Sequence, residues 1–261
     1  MIQNYTGLPT DNTAMALIDS MRDSMREIMH NIMVVGGNVS LYKWHKADLS
    51  SMDLKKGQMS DSDMRGANFN KADLENARLD SSNLFGANLT GANLRCASLI
   101  AVILKQSNCG GANLDGINAA EGDLSEAILS HTSMKNAIFY KADLRGADIT
   151  GASFVNAQMA WSKLDNLNFE DCDMTEANLS NVNLQNADFS GVSDSELIGV
   201  NFKGSDLRGV NFRNIMIKKV SFEGAFLDGA DFTGAELCED TRISLSLTKT
   251  KSHQTKIPTS S

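Results

Sequence analysis

The sequence of 261 residues lacks the features of a membrane-spanning chain and of a chain with a cleaved leader. No stretch approaches the roughly 18 uncharged apolar residues that mark a membrane-spanning helix. The N-terminus lacks the basic start and apolar core of a signal peptide. We therefore expect a cytoplasmic protein with no membrane partner. Secretion into a host cell without a cleaved signal peptide is the alternative.

Residues that usually carry chemistry are few and scattered. The four cysteines show neither metal-ligand nor disulfide spacing, and the four histidines lie far apart: Cys96, Cys109, Cys172 and Cys238; His30, His45, His131 and His253. Protease, hydrolase and phosphate-loop motifs are missing from the sequence. We therefore expect no enzymatic activity, no catalytic residue, no metal site and no cofactor.

What the chain has instead is a repeat of five residues. A large apolar residue, here called the centre of a unit, recurs without a slip from Leu49 to Phe189. After a short break near 190–194 it recurs again from Leu197 to Leu237. A fixed short period over most of a chain predicts a solenoid, in which each unit buries its apolar side against its neighbours.

The period of five favours extended backbone over helix. A helix has 3.6 residues per turn, so it would spread the centres around all its sides. In a strand, the centre and the residue two before it share one side, and both can point inward. The inner partner is usually small, as Ala87 is before Leu89. The fifth position is often Gly or Asn, which tolerate a left-handed corner. Each unit therefore predicts one short side and one corner.

The units resemble those of the pentapeptide-repeat family. The resemblance covers about residues 47–239 and rests on units such as Ala67-Asn68-Phe69, Ala72-Asp73-Leu74, Ala87-Asn88-Leu89 and Ala230-Asp231-Phe232. It implies an all-β solenoid, a right-handed quadrilateral β-helix with four units in each coil. The resemblance also implies bacterial functions that range from protection of DNA gyrase by DNA mimicry to secreted effectors.

Two further segments flank the β-helix, which we place at residues 39–239. Residues 1–38 contain a predicted amphipathic helix at about 12–33, with its apolar stripe on one side. We expect this helix to cap the first coil; an export or docking signal is the alternative. In residues 240–261, Thr241–Thr248 alternates apolar and polar residues and predicts a strand, followed by a disordered tail. That strand would pair with the last coil or with a second molecule, giving a homodimer through an end of the solenoid.

Acidic residues dominate the repeat region. Residues 47–239 contain 27 acidic and 16 basic residues, a net charge of −11. With no basic stripe, direct nucleic-acid binding is not expected. The candidate acidic face, which we place on two adjacent sides of the coil, consists of Asp165, Glu170, Asp171, Asp173 and Glu176.

Outward-facing apolar residues form the second candidate surface. With four units in each coil, Ile100, Ile138, Tyr140 and Trp161 fall on one side, and Phe85 and Ile103 fall on the next. Contiguous apolar patches often mark partner surfaces, and Trp and Tyr are typical anchors.

Three functions remain open from the sequence. The first is a non-enzymatic solenoid that binds a protein partner through the apolar surface. The second is an acidic DNA mimic that binds DNA gyrase or topoisomerase and protects or inhibits it, as in quinolone resistance. The third is a secreted bacterial effector that uses the N-terminal segment for export.

Overall fold

The computed structural model describes Glu27, Asn38, Ser40, residues 43–246 and Thr248. From Asp48 to Asp188 the backbone forms parallel β-bridges between residues 20 positions apart, such as Asn68 with Asn88 and Asn88 with Asn108. A separation of 20 residues is four units of five, so each coil has four sides. The chain is a right-handed β-helix, as the resemblance implied.

The interior is filled by two residues from each unit. Ala87 and Leu89 have 1% and 0% of their surface exposed, and the same two positions are buried in unit after unit. Towards the C-terminal end, phenylalanine rings stack along the axis: the centroids of Phe169 and Phe189 lie 4.2 Å apart, and those of Phe212 and Phe232 4.8 Å. The predicted pairing of a large centre with a small inner partner is confirmed.

Three kinds of hydrogen bond explain the residue preferences of the unit. The N–H of a centre typically donates to the next coil, as Leu89 does to the carbonyl of Asn108 at 2.6 Å. Each corner closes with a turn, as where the Ala87 N–H donates to the carbonyl of Leu84 at 3.0 Å. The Asn or Asp before the centre accepts the N–H two residues ahead. Asn88 also donates to Asn68 in the preceding coil, which joins the coils by a polar ladder.

The corners adopt the left-handed backbone that the Gly and Asn preference predicted. Gly86 has φ +63° and Asn136 has φ +57°. Larger residues occupy the same position in other units, among them Lys141 at φ +57° and Trp161 at φ +65°. Left-handed backbone costs an L-residue other than Gly about 1–2 kcal/mol. Each corner without Gly or Asn therefore costs conformational free energy, and the packing between stacked coils offsets that cost.

A short 3-10 turn at Ser193–Ser195 lies at the break in the repeat. Across it the bridge separation rises to 23 residues, as between Asn178 and Asn201, and then returns to 20. Three parallel strands follow on one side of the last coils: β1 (Glu196–Ile198), β2 (Met216–Lys218) and β3 (Glu236–Leu237), with Leu197, Ile217 and Leu237 in register. The three extra residues are therefore absorbed in the turn.

The strand predicted at Thr241–Thr248 is wrong. This segment forms most of helix α1 (Glu239–Ser246). Thr241 and Leu245 are four residues apart and both buried against the last coil, which is the spacing of one face of a helix. The alternation of Leu and Ser over so few residues fitted a strand equally well. The predicted tail, 249–261, lies outside the described residues, as does the predicted helix at 12–33 except Glu27, which is helical and exposed.

Candidate functional site

The four-sided coil places residues 20 positions apart in columns along the axis. We name the sides A to D by their centres: Leu89 on side A, Leu94 on side B, Leu99 on side C and Leu104 on side D. Before the break, each side repeats every 20 residues. The column that follows the centres of side C is apolar over four coils, and its members are Ile100, Ala120, Tyr140 and Ala160.

The structure gathers all six apolar candidates near this column. Ile100, Ile138 and Tyr140 lie on side C, with 40%, 38% and 40% of their surface exposed. Trp161 stands at the corner between sides C and D and is 56% exposed. Ile103 and Phe85 lie across that corner on side D, 39% and 40% exposed. We call the side C and corner residues, together with Ala101, Ala120 and Ala160, the apolar patch.

The three alanines of the patch were missed by the sequence reasoning. Ala101 occupies the corner position, and Ala120 and Ala160 lie between and beyond the larger residues of the column. Their signal in the sequence is a spacing in multiples of 20 residues: Ala120 and Ala160 lie 20 residues from Tyr140, and Ala101 lies 60 residues from Trp161. Small side chains do not stand out on hydropathy alone. They turn separate apolar residues into a continuous surface.

Trp161 occupies a backbone conformation that suits a bulky residue poorly. Its φ of +65° is left-handed, at a corner position where many other units have Gly or Asn. Strained positions of this kind often occur at functional sites. The most exposed large apolar side chain of the patch is thus held where folding alone would favour Gly.

Charged groups lie beside the patch, and one of them also contacts it. Lys141 lies over the ring of Tyr140, with its Nζ 5.1 Å from the ring centroid, and its Nζ is 3.9 Å from Glu121 Oε1. On side D, Asp143 accepts hydrogen bonds from Arg145 at 2.7 Å and from Lys163 at 3.2 Å. The Arg145 guanidinium holds the pKa of Asp143 down at about 2 despite its partial burial.

The five acidic candidates do not form one face. Asp165 lies on side D, Glu170 on side A and Asp173 on side B, so the candidates occupy three sides of one coil. Asp171 and Glu176 stand at the corners that follow sides A and B. The expectation of two adjacent sides was wrong because the corner residues turn the chain between them. Some of these carboxylates are also engaged locally: Asp173 accepts from the Thr175 N–H and hydroxyl at 3.0 and 2.7 Å.

The acidic candidates belong to a longer acidic run. Residues 164–198 contain eight acidic residues and no Lys, Arg or His. They span nearly two coils and place carboxylates on sides A, B and D, whereas side C at this level carries Asn178, Ser180 and Asn181. We call this run the acidic belt. It adjoins the apolar patch at Trp161.

The family model for pentapeptide repeats matches eight copies along the chain, over residues 45–80, 82–118, 123–154, 152–191 and 195–236. The chain belongs to the pentapeptide-repeat family. Pentapeptide-repeat proteins are generally structural or binding proteins rather than enzymes.

Solved structures of similar proteins carry the same repeat. HetL, a pentapeptide-repeat protein involved in the regulation of heterocyst differentiation in the cyanobacterium Nostoc, is 21% identical, with 84% of each chain covered and a TM-score of 0.29. A trypsin-treated variant of QnrB1, a plasmid-mediated fluoroquinolone resistance protein, is 19% identical over 78% of this chain and 94% of its own, with a TM-score of 0.41. Comparison with curated protein sequences gave no match.

Among the residues that the structure describes, no three His, Cys, Asp or Glu side chains are grouped to hold a metal ion. Burial raises the pKa of the Cys109 thiol to about 11 and that of Cys172 to about 12, which keeps both protonated. None of the described helices is long and apolar enough to cross a membrane.

Proposed function

We propose that this pentapeptide-repeat chain is a protein-binding rod without a catalytic role, whose apolar patch is covered by a protein partner. The observation that carries the proposal is the continuous apolar column from Ile100 to Ala160 with Trp161 beside it. Large exposed aromatic side chains are the usual anchors of protein interfaces. The flat side of a coil supplies a rigid platform that requires no ordering upon binding.

The patch can be tested with a matched pair of double variants. We expect Tyr140→Ala with Trp161→Ala to abolish partner capture by the immobilised protein and to leave its circular dichroism unchanged. The control is Ile128→Ala with Phe226→Ala, because these residues are 43% and 40% exposed but lie on sides A and D, away from the patch. Equal partner capture by the wild type and the patch variant would contradict the proposal. The proposal would also fail if the control variant lost as much partner capture as the patch variant.

A second candidate function rests on the acidic belt. Duplex DNA carries about one negative charge per 1.7 Å, which is roughly 6 over two coils of about 4.8 Å each. The belt carries eight acidic residues over nearly that length, so its local charge is comparable with that of DNA. This charge supports an acidic mimic of DNA that binds a DNA-handling enzyme such as gyrase.

A supercoiling assay with purified DNA gyrase, with and without a quinolone, tests this second function. The variant carries Glu170→Lys, Asp171→Lys and Glu176→Lys together with Asp173→Asn, which keeps the oxygen that accepts from Thr175. Mimicry predicts protection or inhibition by the wild type and none by the variant. An unchanged supercoiling rate at high protein concentration would exclude gyrase as the target.

A further inference from the structure

We infer that the occupant of the apolar patch is a second copy of this chain. The two copies pack side C against side C in antiparallel orientation, across a two-fold axis that passes between the coils of Ala120 and Tyr140. The inference rests on the proposed function, because it names the partner of the same surface. It is carried by the complementarity of two columns of residues, the side C column from Ile100 to Ala160 and the corner column from Ala101 to Trp161, each with itself.

The side C column alternates in size along the axis. Its members are large, small, large and small in the order Ile100, Ala120, Tyr140 and Ala160. An antiparallel two-fold arrangement reverses this order in the second copy. Ile100 then faces Ala160 of the second copy, and Ala120 faces Tyr140 of the second copy. Every large side chain meets a small one, as close packing requires.

The corner column between sides C and D is complementary in the same register. Ala101 faces Trp161 of the second copy, so the most exposed ring of the patch meets its smallest corner residue. Glu121 faces Lys141 of the second copy, which places opposite charges together twice across the axis. Isologous interfaces have this property, because one surface must match itself after rotation. Two columns with different chemistry therefore select the same axis.

Neighbouring registers lose this match. A shift of the axis to the coil of Tyr140 opposes Tyr140 to Tyr140 and Lys141 to Lys141. A shift to the coil of Ala120 opposes Glu121 to Glu121 and Ile100 to Tyr140. Like charges that face each other across an interface are destabilising. The combination of size and charge thus fixes the pairing to one register.

The selected axis also gives extensive overlap. It passes near the middle of the rod, so the side C coils from Met59 to Phe202 all face coils of the second copy. Eight coils at about 4.8 Å extend for roughly 38 Å, long enough for an interface of standard size, about 800 Å² on each partner. Further out, Arg78 faces Asn178, Asp80 faces Ser180 and Ser60 faces Lys203 of the second copy, so these outer contacts bring no like charges together.

The experiment is sedimentation equilibrium of the full chain and of charge variants at the axis. We expect the wild type to sediment at twice the chain mass of 28.2 kDa. Glu121→Lys and Lys141→Glu should each weaken dimerisation by about tenfold or more, because each places two like-charge pairs at the axis. An equimolar mixture of the two variants should dimerise again, since the two lysines of the first variant chain then face the two glutamates of the second.

The mixture isolates the contact between copies, because neither variant chain contains both a Lys and a Glu at these two corners. A second disrupting variant, Ala120→Trp, should collide with Tyr140 of the second copy and yield a monomer with an unchanged melting curve. Ile128→Lys on side A is the control and should remain dimeric.

A wild type that sediments as a monomer at tens of micromolar concentration would overturn the inference, and so would a mixture that stays monomeric while each variant is folded. A monomeric wild type that still captures a different protein through Tyr140 and Trp161 would overturn the second copy alone and leave the proposed function standing. A wild type that neither dimerises nor captures another protein would overturn the inference and the proposed function together.

Discussion

Ser244 of helix α1 accepts the backbone N–H of Phe222 at an Oγ to N distance of 2.6 Å. In earlier coils, the N–H at this position donates to a carbonyl of the next coil, as that of Phe202 does to Ser221. The last coil has no such neighbour. Helix α1 therefore supplies a hydroxyl where another coil would supply a carbonyl. The Thr241 hydroxyl also accepts the Val220 N–H at 3.3 Å, as the Ser205 hydroxyl accepts that of Val182 in an earlier coil.

Removal of the hydroxyl should loosen the C-terminal end of the rod. We expect Ser244→Ala to lower the free energy of unfolding by about 1–2 kcal/mol, because it leaves the Phe222 N–H, now covered by the helix, without its acceptor. Chemical denaturation measures the change. Ser244→Thr keeps the hydroxyl and should recover most of the loss. Equal stability of the alanine variant and the wild type would show that the helix contributes nothing through this bond.

The repeating part of the fold was predictable from the sequence because the interactions of each unit depend only on nearby residues. Asn88 closes its turn and joins the ladder, Leu89 fills the core, and Gly86 forms a corner; each role depends only on neighbours at fixed spacing. The same spacing predicted Tyr140 and Trp161 on one side; in the structure, Tyr140 lies on side C and Trp161 at the corner between sides C and D. Features that do not follow the repeat were harder to predict from the sequence.

Helix α1 shows where this reasoning failed. Thr241 and Leu245 of this helix are buried against the open end of the last coil, which is a tertiary surface that no local pattern reveals. The acidic candidates failed for a related reason. Asp165 and Asp173 are only eight residues apart, but two corners lie between them. Charge that is dense in the sequence is therefore spread around the rod.

The four thiols should differ strongly in reactivity. Cys109 and Cys172 are buried, with pKa values raised by that burial to about 11 and 12, whereas Cys96 is exposed. Cys238 is partly buried, but hydrogen bonds with Thr241 and the Lys219 N–H lower its pKa. We expect a thiol reagent at pH 8 to label Cys96 and Cys238 in the native protein and the other two only upon unfolding.

Mass spectrometry of the labelled peptides checks this order, with labelling in denaturant as the control for intrinsic reactivity. The buried thiols also give a pH dependence. Their folded pKa values lie above the ordinary value of 9.0, so the stability that they contribute is present below about pH 9 and is lost as the pH rises towards 11 and 12. Rapid native labelling of Cys109 would contradict its burial.

Asp143 should make stability fall in acid. Hydrogen bonds from Arg145 lower its pKa from 3.8 to about 2, so its contribution is present above about pH 4 and lost as the pH falls through 2. We expect Asp143→Asn to cost about 1 kcal/mol at pH 7 and almost nothing near pH 2.

Denaturation of both proteins across this pH range provides the measurement. The matched control is Asp123→Asn, one coil away in the same column, because Asp123 accepts its hydrogen bonds from Ser125 rather than from an arginine. A cost at Asp143 that does not change with pH would mean that packing, not charge, explains the effect.

Trp161 should show opposite effects on folding and on association. Its left-handed φ of +65° is one that Gly adopts freely and that other L-residues adopt at a cost of about 1–2 kcal/mol. We therefore expect Trp161→Gly to be more stable than Trp161→Ala by about 1 kcal/mol when both are measured at high dilution. Both variants should lose association through the patch, because both lack the indole ring.

The control pair is Tyr140→Gly and Tyr140→Ala, since Tyr140 lies on the flat of side C and not among the corners with positive φ. There the order should reverse, with Gly less stable than Ala by about 0.5–1 kcal/mol from its greater freedom in the unfolded chain. If Gly were the less stable choice at both positions, the corner would carry no strain. If Gly is favoured at 161 alone, the protein retains Trp161 against the preference of its own backbone, and binding is the property that the ring serves.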